Sequence, residues 1–318
     1  MPRVLFLGCN PNQVPYLRAA RAMGFRVIGT DRNPDAPGAA LADRFHAVGY
    51  ADVEGLLRVA RKEGLGPQDR IFTASAHLAY EGAGAVAEAV GIPFPSVAAI
   101  HTALDKSRFY PALEAAGLPV PPTITLEPGD EPALDPGRAY WLKSDYGKSP
   151  RYCWRVSEGR LPERPAGFDA FYRARFLLQD EIDGSHFRLN LWADQAAVFE
   201  RGAGDVWRTR PDLGPGHDAV VGGLRGFVAS LGMDRWLTKF DLIERDGIHY
   251  VLDLGLDPPT RLRLLCTDRG IDFAGAYAAL YLCGDARRIP PWQHIHRGAE
   301  IRGSAEAGYA VSRAGAGA

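Results

Sequence analysis

The chain has 318 residues, and its 37 Lys and Arg against 38 Asp and Glu leave a formal net charge of −1. That length holds two domains or one elaborated domain around a buried core, and the balanced charge offers no bulk attraction for nucleic acid or an anionic membrane, so a small molecule is the expected partner. Cys9, Cys153, Cys266 and Cys283 form no CxxC pair, no run approaches the length of a membrane span, and Met1-Pro2-Arg3 leads straight into an apolar strand, so the reading expects reduced thiols, no structural zinc, no signal peptide and a cytoplasmic location.

Val4 to Leu7 reads as a short strand, followed by Gly8-Cys9-Asn10-Pro11-Asn12 and a helix from Val14 to Met23 that stops at Gly24. Phe25 to Thr30 is a second strand closing at Asp31, which makes the opening a βαβ unit with parallel pairing. An acidic residue ending the second strand is where a dinucleotide-binding fold holds a ribose, and this keeps a nicotinamide-dependent oxidoreductase open. Against it, Gly8, Asn10 and Gln13 stand where the Gly-x-Gly-x-x-Gly fingerprint needs glycines. The alternation continues with a strand from Phe45 to Val48, a helix from Val53 to Lys62, a strand from Arg70 to Ala74 and a helix from Leu78 to Val90.

Past Gly91-Ile92-Pro93-Phe94-Pro95, a helical stretch carries Asp105-Lys106 and closes on Gly117-Leu118-Pro119-Val120-Pro121. Upstream lie Gly29-Thr30-Asp31-Arg32-Asn33-Pro34, Ala36-Pro37 and Ala42-Asp43-Arg44-Phe45. In this collinear order the motifs resemble those of ATP-grasp enzymes, in the carbamoyl-phosphate synthase and biotin carboxylase branch. The resemblance runs from about residue 3 to about residue 285 and implies an α/β chain, α+β in its ATP-binding half. The expected parts are a Rossmann-like domain over 1–95, ATP-grasp subdomains over 96–175 and 176–300, and a flexible tail over 301–318 that is rich in Ala and Gly.

Ala139 to Lys143 reads as a strand. The resemblance implies that Lys106 and Lys143 contact nucleotide phosphates and that the following loop folds over them, where cations and backbone amides offset phosphate charge. The loop has one glycine, Gly147, where the family has several, so Lys148 and Arg151 are expected to add charge. Phe176 to Gly184 is a strand running into a bend, and it resembles the hinge that presents backbone groups to adenine, which makes Asp180, Glu181 and Ile182 nucleotide-binding candidates. Along the strand from Ser185 to Asp194, the two-residue period puts His186, Arg188 and Asn190 on one face. His186 stands where biotin carboxylase carries a nucleotide-contacting histidine. Arg201 to Asp218, rich in Gly, Pro and Arg, reads as a loop or short strands, and a helix from about Ala219 to Leu231 follows.

Lys239 to Asp253 reads as a hairpin turning at Arg245-Asp246-Gly247, and the turn length decides which side chains share a face. A two-residue loop pairs Asp241 with Leu252 and separates the aspartates. A three-residue loop, with Gly247 left-handed, puts Phe240, Leu242, Tyr250 and Leu252 on one face and Lys239, Asp241, His249 and Asp253 on the other. The second segregates apolar from polar residues better and is preferred; it makes Asp241 and Asp253 diagonal neighbours about 7 to 8 Å apart, able to share one or two Mg²⁺ ions. In the family, an acidic residue on the last strand is followed two places later by asparagine, both metal-binding, and then by an arginine. Here Asp253 keeps the first place, Gly255 lacks a ligating side chain and Asp257 replaces the arginine. Asp257 is therefore expected to complete the metal set, with Arg261 or Arg263 supplying the charge. A last apolar helix is expected from Phe273 to Leu282.

What the resemblance implies is an ATP- and Mg²⁺-dependent ligase that activates a carboxylate as an acyl phosphate and joins it to an amine of amino-acid or small-peptide type. Asp241, Asp253 and Asp257 would hold the metal, with Arg188, Arg261 and Arg263 stabilising the oxyanion. The expected partners are small-molecule carboxylate and amine substrates, without nucleic acid or membrane, and with homodimer formation left open. The alternative is a nucleotide-binding protein of this fold without ligase turnover.

Overall fold

The computed structural model describes residues 1–75, 77–127, 129–146, 153–157, 159, 161, 175–304 and 308–313. Strands β1 (Arg3–Leu7), β2 (Arg26–Thr30), β3 (Arg44–His46) and β4 (Arg70–Thr73) form a parallel sheet in the order β3-β2-β1-β4. Parallel strands are covered on both faces, which is why β1 is apolar at every position from Val4 to Leu7. One face packs with helix α2 (Val53–Lys62), which Asp52 caps through Gly55 N, and with α3 (His77–Val90). The other face packs on α1 (Val14–Ala22) and on apolar side chains from the far end of the chain. Asp31 Oδ2 accepts from Cys9 N at 2.8 Å and its Oδ1 from Asn33 N at 3.0 Å. The carboxylate that kept a ribose-binding reading open thus braces the turns after β1 and β2.

Helices α4 (Val97–Leu104) and α5 (Lys106–Ala115) lead into a small antiparallel sheet of β5 (Thr123–Leu126), β6 (Tyr140–Ser144), β7 (Cys153–Val156) and β8 (Phe176–Asp180), ordered β5-β8-β6-β7. The boundary read at 175/176 falls just before β8, yet β8 pairs with β5 and β6 and belongs with the preceding strands.

The larger sheet is antiparallel throughout. It contains β9 (Ser185–Trp192), β10 (Gln195–Arg201), β11 (Val206–Arg210), β12 (Thr238–Arg245), β13 (Ile248–Gly255), β14 (Ala299–Ser304) and β15 (Gly308–Arg313), ordered β13-β12-β9-β10-β11-β14-β15. Between these strands run α6 (His217–Ser230), α7 (Thr260–Asp268), α8 (Phe273–Cys283) and a short α9 (Trp292–Ile295). One more sequence expectation is corrected here. Much of the tail expected to be flexible is the hairpin β14–β15, where Ile301 is buried and Tyr309 and Val311 pack on the core. The stretch read as a loop or short strands takes the second form, since β11 pairs with β10 and β14 and buries Trp207.

A single apolar cluster joins the two ends of the chain. Phe6, Tyr16 and Phe72 of the parallel sheet and α1 share it with Leu262, Leu265 and Tyr277, and the Tyr16 and Tyr277 rings meet edge-on at 5.5 Å. This packing fixes α7 against the site face of the large sheet. Among the described residues no helix is long and apolar enough to cross a membrane.

Candidate functional site

The hairpin β12–β13 turns on two residues rather than three. Arg245 pairs with Ile248, and Asp246 (φ 53°) and Gly247 (φ 79°) are both left-handed, which is the conformation of a type I′ turn. That register, continued, sets Asp241 against Leu252. It is not continued: the pairing shifts between Leu242, opposite Val251, and Asp241, opposite Asp253, so Leu252 is the extra residue of a β-bulge. The aspartates are therefore directly opposed rather than diagonal. They share a face, as expected, but the turn length from which this was inferred is wrong. The rest of the face also differs. His249 is buried beside Phe187, with burial lowering its pKa, whereas Tyr250 lies opposite Ile243 on the site side.

Strand β9 continues the row. Arg188 pairs with Asp241, Asn190 with Lys239 and His186 with Ile243, so His186, Arg188 and Asn190 face the acids as read from the alternation. Arg188 Nε donates to Asp241 Oδ1 at 2.6 Å and its terminal nitrogen to Oδ2 at 2.8 Å, a bidentate clamp. Burial alone would lower the Arg188 pKa; the Asp241 carboxylate outweighs it and holds the value above the ordinary one. Lys106, at the start of α5, brings Nζ to 3.5 Å from Asp253 Oδ1. Lys239 Nζ donates to both oxygens of Asp257 at 2.8 and 2.9 Å.

Between this face and the small sheet lies a cleft of about 540 Å³. Pro121, Trp141, Ile182, Ile243 and Leu252 give it apolar walls, and Lys143, Gln179, Asp180, Glu181 and His186 are among its polar lining. Lys143 hydrogen-bonds Gln179, and burial pushes its pKa down to about 8. His186 is held below its usual pKa by burial, with Arg201 adding repulsion. Asp180 pairs with Arg138, and Glu181 takes a bidentate contact from Arg155 at 2.8 and 2.7 Å. The backbone amides of Asp180 and Glu181 donate to Pro122 and Ala139 carbonyls, so the hinge contributes Ile182 as wall rather than those two N–H groups. Lys148 and Arg151 lie outside the described residues.

Arg261 and Arg263 separate. The Arg261 guanidinium lies 4.0 Å from the Trp207 ring centre and that of Arg188 lies 5.4 Å from it, and burial, then the Arg188 charge, brings the Arg261 pKa down to about 10. Arg263 is exposed and lines a second cleft of about 590 Å³ with Asn12, Tyr16 and Asp257. Sequence reasoning did not single out Trp207, in a segment read as a loop or short strands, or Gln179, whose neighbours mark only a strand.

No family model matches the sequence. N5-carboxyaminoimidazole synthetase from Staphylococcus aureus, solved with ADP, superposes at a TM-score of 0.70 with 15% identity, over 95% of this chain and 82% of that one. L-amino acid ligase from Bacillus licheniformis gives 0.69 with 16% identity, over 95% and 79%. The chain has the ATP-grasp fold. In sequence, a formate-dependent phosphoribosylglycinamide formyltransferase from Bordetella parapertussis is 29% identical over 144 residues, 43% of this chain and 34% of that one. The match thus spans about a third of that relative's length.

Within this fold the acids Asp241 and Asp253 are two hard oxygen donors directly opposed on one face, which fits a divalent cation. Asp257 does not complete a set with them. The three do not all come within 4.8 Å of one another, and among the described residues the one group that does is Glu81, His101 and Asp105. The physical reason is Lys239, whose ammonium holds both Asp257 oxygens.

Proposed function

We propose that the chain is an ATP-dependent ligase that activates a carboxylate as an acyl phosphate and transfers the acyl group to an amine. The observation that carries this reading is the cleft between the two antiparallel sheets, which puts Lys143, Ile182 and His186 beside the face holding the opposed acids Asp241 and Asp253. The likeness to the L-amino acid ligase of Bacillus licheniformis and the ADP held by the Staphylococcus aureus enzyme support it.

Adenine would sit against Trp141, Ile182 and Leu252, with Lys143 and Lys106 drawing the phosphates toward Asp253. Asp241 and Asp253 would hold Mg²⁺, which when bound screens the charge of the terminal phosphates. A substrate oxygen attacks the γ-phosphorus, ADP leaves, and the acyl phosphate forms with its charge facing Arg188 and Arg261. The amine then adds to the acyl carbon, inorganic phosphate leaves, and the amine proton passes to solvent. No side-chain nucleophile is required. The second reading is nucleotide binding without turnover, and one observation favours it: the Arg188 clamp occupies both Asp241 oxygens.

Incubation with Mg²⁺-ATP and pooled carboxylic and amino acids separates the two. ADP release that needs a carboxylate and an amine together establishes the ligase. Tight ATP binding with no ADP from any pool establishes the binder, and saturable NADPH binding without ATP binding removes both.

A further inference from the structure

Lys239 stands two residues before Asp241 on β12 and directly opposite Gly255 on β13. Its side chain is 8% exposed. A buried ammonium needs a partner, and Lys239 has one in Asp257, two residues beyond Gly255, with both carboxylate oxygens in range of Nζ. The route between them passes over the glycine. A Cβ at position 255 would lie 2.3 Å from Lys239 Cε and 3.1 Å from Nζ, closer than any ordinary contact with Cε. Position 255 is therefore not a gap in the site. The space its side chain would use is filled by the lysine, and Lys239, Gly255 and Asp257 form one unit.

That unit changes what the opposed acids can hold. Asp257, beyond the end of β13 and beside the second cleft, is committed to the ammonium, and position 255 offers no side-chain ligand atom. A second divalent ion beside Asp253 would meet a fixed positive charge in place of donors. We propose that Lys239 is a built-in counter-cation that restricts Asp241 and Asp253 to a single divalent ion. The proposal rests on the ligase reading of the site, and it assigns Lys239 a positioning role rather than contact with substrate.

The test counts ions on the full chain with a non-hydrolysable ATP analogue, using Mn²⁺ as the probe and paramagnetic resonance of the unbound ion as the readout. One Mn²⁺ per nucleotide-loaded chain is expected. Lys239→Met should bind Mn²⁺ about tenfold more tightly or take up a second ion, because a nearby positive charge is lost and Asp257 is released. Gly255→Ala should shift affinity in the same direction, since its Cβ displaces the lysine. Two ions on the unmodified chain, or no shift in affinity or count with either substitution, overturns the proposal. Because the unmodified chain supplies the ion count, misfolding of one variant leaves the test standing. Failure of the unmodified chain to bind the nucleotide analogue overturns the ligase reading and this inference with it, whereas nucleotide binding with two ions overturns this inference alone.

Discussion

Asp241→Asn removes the negative half of the Arg188 clamp while keeping the shape of the side chain. Losing one partner of a fully buried ion pair costs about 3–5 kcal/mol. Here the two side chains are 23% and 32% exposed, so water recovers part of that, and about 1–2 kcal/mol of stability should be lost. The neighbourhood sharpens the effect, since Arg261 lies on the same Trp207 ring and repels Arg188 once the aspartate charge is gone. Asp253→Asn is the control: its contact with Lys106 is a longer 3.5 Å, and its loss should cost under about 0.5 kcal/mol. Thermal denaturation of the two variants at pH 7.5 should give a Tm lower by about 2–4 °C for Asp241→Asn and little change for Asp253→Asn. Equal drops, or none for Asp241→Asn, would refute the clamp as a structural element.

Asp253→Asn should abolish ADP formation while leaving circular dichroism unchanged, and full retained activity would remove Asp253 from the metal site. Lys143 titrates near 8 in the folded chain because of burial, against 10.5 for an ordinary lysine. Affinity for an ATP analogue should therefore fall as pH rises through 8, as the cation is lost. Stability should move the other way, rising between pH 8 and 10.5, since the unfolded chain binds the proton more strongly there. Isothermal titration and urea denaturation across pH 7 to 10 read the two effects, and parallel trends would count against the assignment. Gly247→Val should cost about 1–2 kcal/mol in urea denaturation, because a β-branched residue is strained at φ 79°; an unchanged midpoint would mean the turn relaxes freely.

The parts of the fold set by periodicity were legible. Helix Val53 to Lys62 matches its observed bounds, and the face shared by His186, Arg188 and Asn190 follows from alternation alone. What alternation cannot show is where a strand breaks step. Asp241 and Asp253 share a face because of a bulge, and the sequence reading reached the same pairing through a three-residue turn that the chain does not make. Long-range contacts were hidden for a different reason. Lys239 and Asp257 read as two separate charges, since nothing in their spacing says that a glycine opens a path between them. Trp207 lies in a strand held between β10 and β14, and a segment read only as a loop or short strands names none of the partners that bury its ring.

The bulge couples the turn to the chemistry. In an unbroken two-residue register, Asp253 would take the face of Phe240 and Leu254, and a lone carboxylate in that apolar cluster would be strongly disfavoured. One extra residue moves it to the site face, and the extra residue is itself held: the Leu252 carbonyl accepts from Tyr110 Oη at 2.8 Å, and its side chain lines the cleft. Tyr110 belongs to α5, the helix that begins at Lys106, so one helix both supplies the lysine facing Asp253 and anchors the residue that puts Asp253 there. A shift of α5 would thus disturb Lys106 and the acid pair together, which ties the cleft's geometry to the contacts of α5 with the edge of the large sheet.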